Sequence, residues 1–137
     1  MSTIAVYCGS ASGARPGYFD AANLMGRRIA ESGHTLVYGG GDVGLMGAVA
    51  FIALPGGVGT REEIIEVFGW TQLGLQQKPC GFLNVAGFYS KLIEFLESMI
   101  NESFMKKEHL EALLASEDVD DLLKLLTSAG PSYHAKW

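Results

Sequence analysis

Short apolar runs alternate with helical repeats along this chain. Ile4–Cys8 is a continuous apolar run closed by Gly9 and Ser10. Over Gly17–Ser32 the apolar positions Phe19, Ala22, Met25, Gly26, Ile29 and Ala30 recur at helical intervals, so the spacing predicts a helix there, with Gly33 at its C-cap. Thr35–Tyr38 reads as a second strand, followed by Gly39-Gly40-Gly41, and Gly44–Ala50 as the start of a second helix. Phe51–Leu54 is strand-like. Thr60–Leu73 is helical, with Ile64, Ile65, Phe68 and Leu73 inward. Cys80–Val85 reads as a strand, and Ser90–Ile100 as a helix with Leu92, Ile93, Leu96, Met99 and Ile100 on its apolar side. Ala112–Ala115 completes the strands at an edge. Asp118–Leu126 is the last helix, its acidic start suited to the helix dipole, and residues 128–137 form a frayed tail.

This alternation predicts a single α/β domain over residues 1–137, a parallel sheet with helices on both faces. Strands without polar alternation suit a sheet covered on both sides. Ligands of such sheets bind at the carboxyl ends of the strands. The glycine turns at residues 9–13, 39–47 and 55–59 all follow strands, so they share that edge. One junction is out of keeping. The helix starting at Gly44 meets the strand at Phe51 with no loop, whereas a parallel crossover takes about a dozen residues or more. The spacing therefore predicts residues missing between Ala50 and Phe51. A Cα separation there far above the ~3.8 Å of a trans peptide would reveal an absent segment.

Composition narrows the class. Of 137 residues, 48% are apolar and 18% charged, which is a folded globular chain. The net charge is −5 and no Lys/Arg run exceeds two residues, which argues against a nucleic-acid or membrane partner. No apolar run approaches the ~18–20 residues of a membrane span, and Met1-Ser2-Thr3 enters the first strand without a basic leader, so a cytoplasmic protein is expected. Cys8 and Cys80 sit in strand-like runs and read as reduced, buried thiols.

The most informative stretch is Pro55-Gly56-Gly57-Val58-Gly59-Thr60-Arg61-Glu62-Glu63, directly after the run Phe51–Leu54. Glycines let a backbone approach a ligand closely, and the free N–H groups of the following helix favour an anion. The stretch lacks the Gly-Lys-Ser/Thr ending of a triphosphate loop, but a monophosphate needs only N–H groups and a hydroxyl, which Thr60 supplies. Thr60 and Glu63 also match a capping box, with Thr60 as N-cap and Glu63 folding back to it. The functional alternative for Glu63 is an ionised carboxylate that stabilises an oxocarbenium-like sugar and orients water. Glu62 points elsewhere on the helix, to a ribose hydroxyl or to solvent. Gly39-Gly40-Gly41-Asp42-Val43-Gly44 matches the weak dinucleotide pattern G-x-G-x-x-G. Glu62 and Glu63, however, start a helix rather than end a strand and are misplaced for a ribose hydroxyl there. Ser10 and Ser12 suit either phosphate contacts or loop capping. Arg61 reads as an exposed helix residue, and Trp70 with Phe68 and Leu73 as core or subunit contact. His34, His109 and His134 share no metal-ligand spacing.

These residues resemble the cytokinin-activating phosphoribohydrolases, the Lonely Guy (LOG) family. Residues 55–63 match its PGGxGTxxE signature. Val6–Ser10, Leu36–Gly41, Gly44–Gly47, Gln72–Gly74, Lys78-Pro79 and Gly81–Val85 follow in the family's order. The resemblance implies a Rossmann-like, doubly wound homodimer that hydrolyses the N-glycosidic bond of nucleoside 5′-monophosphates. The products would be adenine or an N6-substituted adenine and ribose 5-phosphate, with no metal or organic cofactor. It implies Glu63 as catalytic carboxylate, Gly56, Gly57, Gly59 and Thr60 as phosphate contacts, and Ser10, Gly41 and Met46 lining the nucleotide pocket. A carrier of a nucleotide or phosphorylated cofactor using the same pocket is the alternative.

Two departures stand out. The family's Met-His-x-Arg-Lys-like run, with a second catalytic residue in its arginine, is absent, and its place falls at the Ala50–Phe51 seam. Gly69 also stands where the family usually has Thr. Such sequences are often labelled lysine decarboxylases. Pyridoxal phosphate chemistry needs a lysine at the ligand edge, and Lys78 precedes its strand, at the opposite edge.

Overall fold

The computed structural model describes residues 2–38 and 48–128. Five strands form one parallel sheet in the order β2-β1-β3-β4-β5. They are β1 (Thr3–Tyr7), β2 (Thr35–Tyr38), β3 (Ala48–Ala53), β4 (Cys80–Leu83) and β5 (Leu113–Ser116). The described helices are α1 (Pro16–Glu31), α2 (Val58–Gln72), α3 (Ser90–Asn101), the short α4 (Lys107–Glu111) and α5 (Val119–Ser128). The expected α/β architecture is present. The short α4 was not expected from the sequence.

Strand alternation splits the core in two. On one face Ile4, Val6, Ala50, Ile52 and Leu83 pack with Met25 and Ile29 of α1 and Val119, Leu122, Leu123 and Leu126 of α5. On the other, Ala5, Tyr7, Phe51, Ala53, Cys80 and Phe82 pack with Ile64 and Val67 of α2, with Leu92 and Ile93 of α3 against them. Helix ends follow local chemistry. Pro16 opens α1, and Gly33 closes it at φ +74°. There the Gly33 N–H reaches Ala30 O at 3.1 Å and the His34 N–H reaches Ile29 O at 3.2 Å. That is the double bond of a Schellman motif. Asp118 caps α5, its Oδ1 accepting the Asp121 N–H at 2.7 Å.

Several sequence expectations need correction. Phe19 of α1 and Leu73 after α2 are 56% and 47% exposed rather than inward. Ala48–Ala50 belong to a strand, not to a helix begun at Gly44; residues 44–47 lie outside the described residues. Three apolar residues flanked by more apolar residues extend a buried strand as readily as a short helix. No break interrupts β3, because Ala50 and Phe51 pair with Ile4 and Ala5 in register. A bulge precedes them: Thr3 pairs with Ala48 but Ile4 with Ala50. One extra residue therefore puts Ala48 and Ala50, two apart in sequence, on opposite faces.

β2 ends at Tyr38 and β3 starts at Ala48 on the far side of β1. The residues between span at most ~30 Å when extended. That is enough to cross one strand. β2 is an edge strand, with Leu36 40% and Tyr38 68% exposed.

The turn after β4 is the most constrained loop. Ala86 lies at φ 52° and Gly87 at φ 70°. A left-handed alanine persists only when its surroundings over-determine it. Asn84 does that: its Oδ1 accepts the Tyr89 N–H at 2.7 Å and its Nδ2 donates to Ser90 Oγ at 3.2 Å. Tyr89 then runs into the core, its hydroxyl donating to Leu54 O at 2.5 Å. Asn84→Ala is expected to lower the unfolding free energy by about 2 kcal/mol, read by urea denaturation.

Candidate functional site

The sheet order reverses direction at β1, whose sequence neighbour β2 lies on one side while β3 lies on the other. Beyond the carboxyl ends of β1 and β3 the following segments diverge and leave a crevice, the ligand position of open α/β sheets. A cavity of about 370 Å³ occupies it, lined by Cys8–Gly13, Tyr18, Pro55–Gly57, Gly59, Thr60, Glu63 and Phe88.

Two loops meet there backbone to backbone. A Cβ on Gly9 would lie 3.2 Å from Gly56 Cα, and one on Gly56 would lie 2.8 Å from Gly9 N and 2.9 Å from Thr60 Cβ. Gly56 is thus a steric requirement. A Cβ on Gly57 or Gly59 would meet nothing within 4 Å, so these two positions are open toward the cavity rather than forced by packing.

Helix α2 starts two residues earlier than the sequence pattern suggests, with Gly57 as N-cap and no side-chain cap. The Arg61 N–H bonds Gly57 O at 3.2 Å. The N–H groups of Val58, Gly59 and Thr60 precede that bond and are the orphan donors of the first turn. The expected capping box is therefore not formed. Thr60 stands inside the first turn, 4% exposed, and neither carboxylate belongs to that turn. Glu63 sits one turn along, at i+3 from Thr60 and i+4 from Gly59, so the three share a helix face. It is half-buried and lines the cavity.

The structure therefore brings together Ser10, Gly56, Gly57, Gly59, Thr60 and Glu63. Glu62 and Arg61 are exposed and stand off the lining. Gly41 and Met46 lie outside the described residues. Trp70 packs against the α2-side core rather than the cavity. Lys78 lies just before β4, its ammonium 6.0 Å from the centre of the Phe51 ring, and no lysine lines the cavity among the described residues. No cluster of metal-ligating side chains occurs among them either, and no described helix is long and apolar enough to cross a membrane.

Sequence reasoning missed Tyr18 and Phe88. Their rings meet edge to face at 5.6 Å and close one wall of the cavity. The signals were present but weak. Gly13 at φ +79° leaves room for the Tyr18 ring, since a Cβ there would come within 2.6 Å of it. The strained turn at Ala86-Gly87 aims Phe88 outward.

Comparison with known proteins agrees with this geometry. The profile of the family described as "Possible lysine decarboxylase" matches residues 45–126. The chain is 33% identical to cytokinin riboside 5′-monophosphate phosphoribohydrolase LOG of Oryza sativa subsp. japonica, covering 95% of this chain and 74% of that protein. It is 32% identical to LOG7 and 33% identical to LOG2 of Arabidopsis thaliana, covering 95% of this chain and 83% and 84% of theirs. The chain belongs to the LOG family. Each of these alignments runs over 180 positions, whereas this LOG family chain has 137 residues. The alignment with the Oryza sativa protein covers 95% of the 137 residues, about 130, so about 50 of its 180 positions have no counterpart here.

Two outcomes are expected. Gly56→Ala lowers stability by about 2 kcal/mol in urea, whereas Gly57→Ala and Gly59→Ala stay within about 0.5 kcal/mol of the parent. Burial pushes the Cys80 thiol up to about 12, against the opposing pull of Thr71 and Gln76. Mass spectrometry after a thiol reagent at about pH 8 should therefore find native protein modified at Cys8, in the cavity wall, and not at Cys80.

Proposed function

We propose that this protein binds a nucleoside 5′-monophosphate in the β1/β3 crevice and hydrolyses its N-glycosidic bond. The observation that carries this reading is the common helix face of Gly59, Thr60 and Glu63 at the open N-terminus of α2. The names of the relatives, cytokinin riboside 5′-monophosphate phosphoribohydrolases, support the substrate class, an adenosine monophosphate with or without an N6 substituent.

In this reading the N–H groups of Val58, Gly59 and Thr60, with the Thr60 hydroxyl, receive the phosphate, where the helix dipole favours an anion. Glu63, one turn on, faces the ribose. Its carboxylate stabilises positive charge as the C1′–N bond lengthens and orients the attacking water. Water oxygen bonds C1′, the base departs with the C1′–N electron pair, and the water's proton passes to the base. Ser10 contributes a hydroxyl from the β1 loop. Lysine decarboxylation is not supported, because no lysine of the described cavity could carry the Schiff base.

We further propose that the shortfall against the relatives lies between β2 and the glycine cradle, around the Ala50–Phe51 seam where the family's arginine-bearing run would fall. This shortfall favours a second reading, a nucleotide binder that retains the cradle without turnover. The protein is proposed to pair as a homodimer, supported by the exposed Leu73, Leu75, Phe95 and Phe104.

Incubation with AMP and isopentenyladenosine monophosphate should release ribose 5-phosphate. Glu63→Gln should cut turnover by about 10²–10⁴-fold while AMP affinity by calorimetry changes little. AMP binding without product, indifferent to Glu63→Gln, would establish the binder instead.

A further inference from the structure

Tyr7 is the last residue of β1 and only 1% exposed. Its backbone carbonyl accepts the Leu54 N–H at 2.9 Å, one residue before the glycine cradle. Its ring lies parallel to Phe51, with centroids 6.4 Å apart and planes 2° apart, in the cluster that holds Ile64 and Val67 of α2. Phenylalanine would satisfy all of that packing. The hydroxyl is what packing does not explain, for it is buried with no hydrogen-bond partner. Such orphan groups are rare in folded proteins and call for a reason.

The surroundings identify one. Ionisation of the Tyr7 phenol is pushed far upward, by burial first and then by Glu63, Cys80 and Glu66. The group is therefore a protonated donor with acceptors on two elements, α2 and β4. The Cys80 sulfur is already engaged, receiving Gln76 Nε2 at 3.9 Å and facing Lys78 O at 4.0 Å. Glu66 is exposed to solvent. Glu63 alone of the three is half-buried and lines the cavity. Catalytic hydrogen bonds are often open in an empty site and tighten when it fills.

We propose that Tyr7 is a positioning residue for Glu63, its hydroxyl donating a hydrogen bond to the Glu63 carboxylate when a nucleotide occupies the cavity. This rests on the hydrolase reading above for its catalytic consequence, but not for the contact itself. The bond fixes one carboxylate oxygen, leaving the other for the sugar and the attacking water. It gives a buried hydroxyl its partner only in the loaded state, so the loaded orientation of Glu63 is favoured.

Tyr7→Phe in the full chain tests this. Stability in urea should be unchanged or higher, and KM and the AMP dissociation constant should stay within about twofold. The turnover number should fall by about tenfold through misorientation of Glu63. In a Glu63→Gln background, Tyr7→Phe should cost nothing further. Turnover untouched by Tyr7→Phe, or the same loss in both backgrounds, overturns the proposal. A second readout needs no turnover. With ζ-¹³C-tyrosine, the resonance that Tyr7→Phe removes should move on adding AMP, and should move less in Glu63→Gln. A resonance that ignores AMP, or responds equally in both, refutes the contact. A shift without any ribose 5-phosphate release would retain the contact and refute only the hydrolase reading.

Discussion

The contact between the backbones of Gly9 and Gly56 is the constraint on which the ligand edge depends. β1 and β3 are hydrogen-bonded neighbours, so the loops that leave their carboxyl ends start side by side. Only two residues without side chains can then pass within van der Waals distance. That approach brings the start of α2 against the crevice, where Gly57, Gly59 and Thr60 line the cavity. A bulkier pair would separate the loops, and the cavity would lose its floor before any catalytic group was touched. Tyr89 reinforces the arrangement from the turn after β4, by holding the Leu54 carbonyl just ahead of the cradle.

The exact first turn of α2 then decides the chemistry. A helix beginning at Thr60 would use its hydroxyl and the Glu63 carboxylate to cap itself. A helix beginning at Val58 leaves both free. Starting earlier leaves the first-turn N–H groups without a side-chain cap, a cost that an isolated helix would avoid. The burial of Tyr7 without a partner belongs to the same pattern. Among the described residues the other such atom, His34 Nδ1, lies at the opposite edge, just before β2.

The opposite side of the sheet has the reverse character. Packing at the centre of the sheet is tight, with Ile52 of β3 and Leu83 of β4 fully enclosed, while edge strand β5 is only half-buried. At β2 it thins, and Tyr38 stands open. The pairing of β2 with β1 rests on main-chain hydrogen bonds, which do not depend on side-chain cover.

Much of this was legible in the linear chain. Apolar runs broken by glycine turns identified β1, β4 and the βαβ alternation, because strands buried on both faces must be apolar throughout; β2 was legible from its β-rich run Thr35–Tyr38 before three glycines, although it is exposed. The glycine-rich stretch at 55–63 marked the cavity wall, because few other residues permit so close a backbone approach. Other features depended on distant partners. Ala48–Ala50 became strand because Thr3 and Ile4 were there to pair with them, which no local period encodes. Glu63 escaped its capping role because Gly9 and the cavity fixed where α2 begins. Phe88 and Tyr18 met because a left-handed turn and a glycine aimed them at each other across separate elements. The chain by itself determined which segments fold and which chemistry is available, since propensity and residue type are local properties. Tertiary structure alone decided which groups remain unpaired and face the same space, since that depends on contacts between residues far apart in sequence.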